Sequence, residues 1–344
     1  MIMFQSDYLE GAHPEILKRL METNDIQRVG YGEDIFSESA RKKIKKRIGR
    51  DDVDIHFIVG GTITNLLVIS SALRQYQGVI SPKTGHINVH ETGAVEVTGH
   101  KVITVDGRDG KLSAEDVKMI MENHLSDPSK EHTVQPKMVY ISFPTENGTI
   151  YSKKELEDIR KVTKEYDLYL FIDGARLGYG LASPDTDLTI EDIANLSDVF
   201  YIGGTKCGAF SGEAVVISNS ELKKDFKYNI KARGAMLAKG SLNGIQFDTL
   251  FTDDLYFKIT KDAVGKALKL KDAFTKKGIK LFGSSSTNQI FPVLSDSEIT
   301  KLREKYLFET WGKNNDGKTI VRFCTSWNTK EENLNSLIED IEKL

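Results

Sequence analysis

The sequence has few cysteines and no long apolar run. Its 344 residues include two cysteines, Cys207 and Cys324, and no CxxC pair, which argues against a thiolate zinc site and a disulfide framework. Isolated thiols are typical of a reducing compartment. No stretch approaches the roughly 18 consecutive apolar residues of a membrane-spanning helix. Because the first residues also lack the basic and apolar regions of a secretion signal, we expect a cytoplasmic location and no membrane partner.

The sequence also lacks a strong net charge and the common nucleotide-binding motifs. Lys and Arg total 47 and Asp and Glu total 50, which leaves a net charge of −3 and gives no reason to expect a nucleic-acid partner. Neither GxGxxG nor GxxxxGK[ST] is present. This absence argues against a dinucleotide or a nucleoside triphosphate as the ligand.

Apolar runs alternate with amphipathic stretches along most of the chain. Residues 62–76, 113–123 and 152–166 have helical patterns, and Ser113 with Asp116 forms a partial capping box. The run at residues 168–172 is apolar on both faces, as in a buried parallel strand. The other strand-like runs are residues 55–59, 102–105, 138–143, 199–202 and 214–217. This alternation predicts an α/β fold, with a mostly parallel sheet covered by helices on both faces.

The last third of the chain has a different pattern. Residues 240–277 are largely helical, residues 289–293 and 319–324 are strand-like, and residues 330–344 form an amphipathic helix. We therefore expect a large domain at residues 1–250 and a small α+β domain at residues 251–344.

Glycines and charged side chains follow three of the predicted strands. The sequence GGT at residues 60–62 precedes a helix, DGAR at 173–176 follows a buried strand, and GGTKCG at 203–208 follows another. Each segment alone also fits an ordinary interpretation: a strand-to-helix turn, a turn capped by Asp173 with Arg176 in solvent, or an exposed loop around Lys206.

Together the three segments predict one cofactor. A desolvated lysine has a lowered pKa and attacks carbonyls, and backbone N–H groups at a helix N-terminus bind phosphate. Pyridoxal phosphate requires a lysine for a Schiff base and a charged partner at its ring nitrogen. In a parallel sheet, these groups meet beyond the carboxyl ends of the strands. The sequence therefore predicts pyridoxal phosphate held as a Schiff base on Lys206.

Two histidines, His86 and His90, are four residues apart in the segment GHINVHE at residues 85–91. On a helix they would share one face, but the segment is not HExxH. A metal site, a pair of structural histidines and an imidazole stacked on a planar cofactor are the alternatives. We expect no metal and favour the stacked imidazole.

These segments resemble the threonine aldolases, which belong to the β-eliminating lyase group of aspartate-aminotransferase-like, fold-type I pyridoxal-phosphate enzymes. The resemblance covers nearly the whole chain, and its motifs are specific in combination. It runs from residues 6–7 through 31–34, 60–66, 86–93, 173–176 and 205–206 to 321–322. It implies a fold-type I architecture and a homodimer or homotetramer whose active sites lie at subunit interfaces.

The resemblance also implies a role for each matching residue. Lys206 would carry the cofactor, Asp173 would pair with the ring nitrogen, and His86 would stack on the ring. The remaining implied contacts are Gly61 and Thr62 with the phosphate, Arg176 with the ring hydroxyl and the substrate carboxylate, Ser6 and Arg322 with that carboxylate, and Tyr31 with a neighbouring subunit's site.

Two departures from the family pattern affect the expected site. Residues 145–148 read TENG where the family has Thr-His-Asn-Gly, so Glu146 replaces a histidine that contacts the substrate hydroxyl. We expect Glu146 to serve that hydroxyl, with His90 or a bound water as competing bases. Residues 235–237 read AML and offer no phosphate-binding arginine, which leaves Arg233 and Lys239 as alternatives.

The resemblance implies cleavage of a β-hydroxy-α-amino acid, threonine, allo-threonine or a relative, to glycine and an aldehyde. A β-eliminating lyase that acts on another amino acid is the alternative within the same chemistry. A non-catalytic protein that binds pyridoxal phosphate is the alternative outside it.

Overall fold

The protein was analysed as a computed structural model that describes residues 1–314 and 316–344. Its strands are β1 (Ile2–Met3), β2 (Asp54–Ile58), β3 (Gln77–Pro82), β4 (Val102–Val105), β5 (Gln135–Ser142), β6 (Tyr169–Asp173), β7 (Val199–Gly203), β8 (Glu213–Ile217), β9 (Gln289–Ile290), β10 (Val293–Leu294), β11 (Tyr306–Leu307), β12 (Glu309–Lys313) and β13 (Thr319–Cys324).

The helices lie between these strands. They are α1 (Pro14–Thr23), α2 (Ile35–Ile48), α3 (Gly61–Ala72), α4 (His86–Val89), α5 (Ala94–Val97), α6 (Ala114–Ser126), α7 (Lys153–Glu165), α8 (Leu177–Leu181), α9 (Ile190–Leu196), α10 (Ser220–Lys223), α11 (Phe226–Ala232), α12 (Ser241–Leu250), α13 (Leu255–Lys276), α14 (Asp296–Arg303) and α15 (Glu331–Glu342), with a 3-10 turn at Lys130–His132. Within the described ranges, no helix is both long and apolar enough to cross a membrane.

The central sheet has seven strands in the order β2-β8-β7-β6-β5-β3-β4. β8 runs antiparallel to β2 and β7, and the other neighbouring pairs are parallel. The carboxyl ends of β2, β3, β5, β6 and β7 therefore meet at one edge, together with the amino end of β8. The predicted fold class, a mostly parallel sheet covered by helices, is confirmed.

Both faces of the sheet are buried under helices. Along β6, Leu170 and Ile172 belong to one hydrophobic cluster, whereas Phe171 belongs to the cluster on the opposite face. Because side chains alternate along a strand, a strand between two helix layers must be apolar at every position. This explains why residues 168–172 lack a polar face.

Helix α3 and strand β3 differ from the sequence prediction. The helix was expected at residues 62–76, but it spans Gly61–Ala72, and the central strand Gln77–Pro82 was missed. The Gln77 side chain accepts a hydrogen bond from the Arg74 backbone N–H at 3.0 Å, which closes the turn between them. β3 is fully buried, but only Val79 and Ile80 of its six residues are large and apolar, so the sequence has no apolar run that would predict this strand.

Helix α6 begins as predicted. The Ser113 side chain accepts from the Asp116 backbone N–H, and the Asp116 side chain accepts from the Ser113 backbone N–H. Both halves of the capping box are therefore present although aspartate replaces the usual glutamate.

A separate hydrophobic cluster lies among the C-terminal elements. Leu270 and Phe274 of α13 belong to it, whereas Ala263 and Val264 of the same helix belong to the main core. β13 pairs with β9, β10 and β12, while β1 pairs in parallel with β11. The predicted strand at residues 289–293 is divided into β9 and β10 by Phe291 and Pro292, and Pro292 makes an isolated bridge with Leu281. The division into residues 1–250 and 251–344 stays a proposal.

Candidate active site

A small cavity opens at the sheet edge where the carboxyl ends of the parallel strands meet. It brings together six of the residues expected from the sequence, and its lining is Gly61, Asn65, His86, Ser142, Pro144, Glu146, Asp173, Ala175, Arg176, Tyr201 and Lys206. Five further expected residues, Ser6, Tyr31, Thr62, His90 and Arg322, lie outside this lining.

Asp173, the last residue of β6, is buried and receives four hydrogen bonds. The donors are the Asn65 side-chain amide at 3.0 Å, the Tyr140 hydroxyl at 2.6 Å, the Ala175 backbone N–H at 3.0 Å and the Tyr201 hydroxyl. Burial alone would raise the pKa of Asp173, but the nearby His86 and the hydrogen bonds outweigh it, and the pKa lies below its usual value. The carboxylate is therefore ionised and rigidly held, as a ring-nitrogen partner requires.

Lys206 lies in the loop that connects β7 to β8. Burial, with a further contribution from the Arg176 charge, lowers the pKa of Lys206 and favours its neutral, nucleophilic form. At the start of β8, Glu213 accepts from the Gly204 backbone N–H at 3.0 Å and from the Thr205 hydroxyl at 2.8 Å. Burial raises the pKa of Glu213 to about 8. These contacts fix the loop that presents the lysine.

The N-terminus of α3 provides a place for an anion. Gly60 precedes this helix of 12 residues, and no side chain of the described residues caps it. Its first N–H groups have no partner within the helix. A side chain at Gly60 would meet no atom within 4 Å, whereas one at Gly61 would lie 3.3 Å from the Tyr201 hydroxyl. The open space beside these donors fits a phosphate.

His86 is held by a buried carboxylate. Its Nδ1 lies 2.7 Å from Glu91 Oε1, which also accepts from the Asn65 side chain at 2.6 Å. The same Asn65 nitrogen donates to Asp173. His86 is thus oriented on the cavity wall by a network that reaches the carboxylate at its base.

His90 and a metal site were the other possibilities for this segment. The His90 ring lies 5.5 Å from the His86 ring and outside the cavity lining. Partial desolvation and the His86 charge lower the pKa of His90. Among residues 1–314 and 316–344, no group of three or more His, Cys, Asp or Glu side chains could hold a metal ion.

Glu146 has one satisfied oxygen and one free oxygen. Its Oε1 accepts from the Ser142 hydroxyl at 2.6 Å and from the His86 backbone N–H at 3.0 Å. Its Oε2 is buried and has no hydrogen-bond partner in the described part of the chain. Burial raises the pKa of Glu146. The cavity therefore contains one unused acceptor with a proton affinity above that of an ordinary carboxylate.

Arg176 faces the cavity as half of a buried ion pair. Its guanidinium donates to both oxygens of Asp7, at 2.7 and 2.9 Å, and the Asn288 side chain donates to Asp7 at 2.9 Å. Asp7 belongs to the Ser6-Asp7 segment of the resemblance, but the sequence did not assign it a role.

Ser6 and Arg322 are buried near this ion pair. Arg322 Nη2 donates to Glu309 at 2.6 Å and to the Gln5 carbonyl at 3.2 Å. Ser6 Oγ and Arg322 Nε have no partner within residues 1–314 and 316–344. Two buried donors are therefore unused, and one of them belongs to the residue that precedes Asp7 in the chain.

Thr62 and Tyr31 are exposed. Tyr31 has a positive φ of 61° and its ring lies 4.9 Å from the Lys231 ammonium. It lines a second cavity with Met236 and Leu237, beside the position of the absent arginine. Arg233 and Lys239 are also exposed.

The model for the family described as beta-eliminating lyase matches residues 4–287. The structure of a threonine aldolase from Leishmania major has a TM-score of 0.97 and 45% identity, and the match covers 100% of this chain and 99% of that chain. The chain belongs to the beta-eliminating lyase family, in its threonine aldolase branch.

Other relatives agree with this assignment. Low specificity L-threonine aldolases from a Pseudomonas species and from Pseudomonas aeruginosa are each 29% identical over 98% of this chain and 96% of the relative. An aspartate aminotransferase from Thermus thermophilus, 14% identical with a TM-score of 0.72 over 100% of this chain and 91% of that chain, shares the fold.

The chain is therefore a pyridoxal-phosphate-dependent lyase, and its cavity suits that cofactor. The lowered pKa of Lys206 suits attack on the aldehyde carbon of the cofactor. The ionised Asp173 suits its ring nitrogen, and the open N-terminus of α3 suits its phosphate. The sequence missed four residues of the supporting network, which are Asn65, Glu91, Tyr140 and Tyr201. The hydrogen bonds to Asp173 that identify three of them join positions far apart in the chain.

Proposed function

We propose that this lyase cleaves a β-hydroxy-α-amino acid, threonine, allo-threonine or a relative, into glycine and an aldehyde. The observation that carries the proposal is the free oxygen of Glu146, a buried acceptor in the same cavity as Lys206 and Asp173. Aldol cleavage requires the β-hydroxyl to lose its proton as the Cα–Cβ bond breaks, so the site needs an acceptor. The names of the relatives from Pseudomonas and Leishmania major agree with this substrate class.

The cofactor's role is to accept the electron pair that the broken Cα–Cβ bond leaves on Cα. Lys206 would hold the cofactor through Nζ, and Asp173 would keep the ring nitrogen protonated. Gly61 and Thr62 would bind the phosphate at the start of α3, and His86 would stack on the ring. The position of each residue in or beside the cavity supports its role.

Glu146 handles the proton of the β-hydroxyl. Its Oε2 takes the hydroxyl proton while the C–O bond becomes the carbonyl of the aldehyde, and Cα then receives a proton to complete glycine. The raised pKa brings the carboxylate closer to working pH, which favours general-base catalysis. His90, outside the cavity lining, is the competing base.

The substrate carboxylate is bound by Ser6, Arg176 and Arg322. Ser6 Oγ and Arg322 Nε are unused buried donors, and Arg176 adds a positive charge on the cavity wall. Together they orient the substrate so that Cα–Cβ, rather than Cα–H, is the bond that breaks, which is catalysis by orientation. Tyr31, exposed on this chain, contributes to the site of a neighbouring copy in a homodimer or homotetramer.

A substrate screen tests the proposal. The purified holoenzyme is incubated with L-threonine, L-allo-threonine, L-serine and β-phenylserine, and glycine, aldehyde, keto acid and ammonia are measured. Glycine and aldehyde in equal amounts are the expected products. Keto acid and ammonia as the main products would replace aldol cleavage with β-elimination, and no product from any β-hydroxy amino acid would end the proposal.

A further inference from the structure

A chain of hydrogen bonds connects Glu146 to Asp173 through β5. The Tyr140 hydroxyl donates to Asp173 Oδ2 at 2.6 Å. The Ser142 hydroxyl lies 3.2 Å from the Tyr140 hydroxyl and 2.6 Å from Glu146 Oε1. All four residues are buried. The carboxylate assigned to the β-hydroxyl and the carboxylate assigned to the ring nitrogen are thus joined by two hydroxyl groups.

The Ser142 hydroxyl can donate its single hydrogen to either of two acceptors, the Tyr140 hydroxyl or Glu146 Oε1. The Tyr140 hydrogen is committed to Asp173, since burial and the Asp173 charge raise the pKa of Tyr140 well above its usual value. When Glu146 is ionised, the Ser142 hydrogen is directed to Glu146 Oε1, which is the shorter and charge-assisted contact. When Glu146 is protonated, Oε1 becomes a weaker acceptor, and the Ser142 hydrogen is free to turn to Tyr140.

The same geometry decides which oxygen of Glu146 accepts a proton. Oε1 already receives two hydrogens, from Ser142 and from the His86 backbone N–H, whereas Oε2 receives none from the described residues. Protonation therefore occurs on Oε2. Removal of the Ser142 hydroxyl would leave Oε1 half satisfied and weaken this preference.

We propose that Ser142 is a positioning residue that keeps Glu146 ionised with Oε2 free. The proposal rests on the proposed function for the role of Glu146. Ser142 does not exchange a proton with the substrate and acts through Glu146 alone.

The pH dependence follows from the groups around Glu146. Ser142 and His86 stabilise the ionised form, whereas burial and the like charge of Asp173 oppose it. Tyr140 and Tyr151 face it in their neutral forms, because burial raises the pKa of both. Lys206 and Arg176 are the cationic groups of the cavity wall, and they are unchanged by a substitution at Ser142.

The test begins with the pH profile of Ser142→Ala. Hydrogen bonds to charged groups are worth enough to move a pKa by about one to two units, so the acidic limb of aldol cleavage should move up by about that amount. Exchange of the Cα proton of glycine involves no β-hydroxyl, and its profile should stay in place. Ser142→Thr, which keeps the hydroxyl, should restore the limb.

Ser81→Ala is the matched control. Ser81 is a buried serine on the neighbouring strand β3, and its hydroxyl donates to the Pro82 carbonyl. Its removal should leave the limb unchanged. Thermal unfolding of each variant shows whether the fold is retained.

A second readout needs no substrate. The visible absorbance of the holoenzyme is titrated with pH in the wild type, Ser142→Ala, Glu146→Gln and the double variant. An ionised Glu146 stabilises a nearby cation. Each single variant should therefore move the midpoint of the absorbance titration to lower pH. The double variant should have the same midpoint as Glu146→Gln.

Any of three outcomes would overturn the proposal. The acidic limb of aldol cleavage could stay in place in Ser142→Ala, or an equal shift could occur in Ser81→Ala or in the profile of glycine exchange. The shifts of the absorbance midpoint in the two single variants could also add in the double variant. Wild-type enzyme that releases no aldehyde would instead overturn the proposed function, and the absorbance titration would still decide the role of Ser142.

Discussion

Glu146→Gln is the most direct perturbation of the proposed chemistry. The amide has nearly the same shape as the carboxylate, and its oxygen can keep the hydrogen bonds from Ser142 and from the His86 backbone N–H. Its nitrogen then replaces Oε2 and presents hydrogens where the wild type presents an unused acceptor. The substitution therefore removes the proton acceptor with little change in packing.

The expected loss follows from this single change. A positioned general base contributes about 10²–10⁴-fold to a rate, so aldehyde release from the best substrate should fall by that factor. Exchange of the Cα proton of glycine in deuterium oxide should fall much less, because glycine has no β-hydroxyl. The ratio of the two rates in one preparation is the measured quantity, and it is independent of the fraction of active enzyme.

The pH dependence of cleavage should also have a definite direction. In the wild type, cleavage should decline as pH falls through the raised pKa of Glu146, and this limb should vanish in Glu146→Gln. His90→Gln, a substitution outside the cavity lining, should change cleavage by a few-fold at most. Equal losses in cleavage and exchange, or no loss in either, would refute the assignment and direct attention to His90 or a bound water.

Three further substitutions test the rest of the site. Lys206→Ala should abolish turnover and the yellow colour of the holoenzyme, and borohydride should attach the wild-type cofactor to the peptide that contains Lys206; labelling of another lysine would contradict this. Asp173→Asn should still bind cofactor but lose most activity, and near-wild-type turnover would exclude the ring-nitrogen role. Asp7→Asn leaves the Arg176 charge buried without its partner. It should destabilise the protein by about 3–5 kcal/mol in denaturant unfolding. Because the pKa of Asp7 is lowered in the folded state, the wild-type advantage should be present at neutral pH and lost as pH falls through that value.

Local patterns in the sequence were enough to predict the sheet and the cofactor. Lys206 and Asp173 follow strands whose apolar character is visible in the chain, and the parallel arrangement places strand ends together. β3 was missed because its sequence, QGVISP, contains only two large apolar residues although the strand is buried throughout.

The hydrogen-bond network around Asp173 and His86 could not be predicted from the sequence for a different reason. Asn65 and Glu91 are ordinary residues in a helix and a loop until folding brings them together with Asp173 and His86. Hydrogen bonds between positions far apart leave no periodic trace in the chain. The role of Glu146 was suggested by its place in the TENG segment, but only its surroundings distinguish Oε1 from Oε2.

The ion pair between Asp7 and Arg176 has a consequence for biosynthesis. Asp7 is translated before its partners, which lie 169 and 281 positions further along the chain. The contact of the Gln5 carbonyl requires a residue that is synthesised later still, since Arg322 is 317 positions away. Contacts of such high sequence separation form late, because chain closure must precede any gain from them. The N-terminal segment thus docks after the sheet and the C-terminal elements have emerged from the ribosome, and Arg176 on the cavity wall gains its Asp7 partner only then.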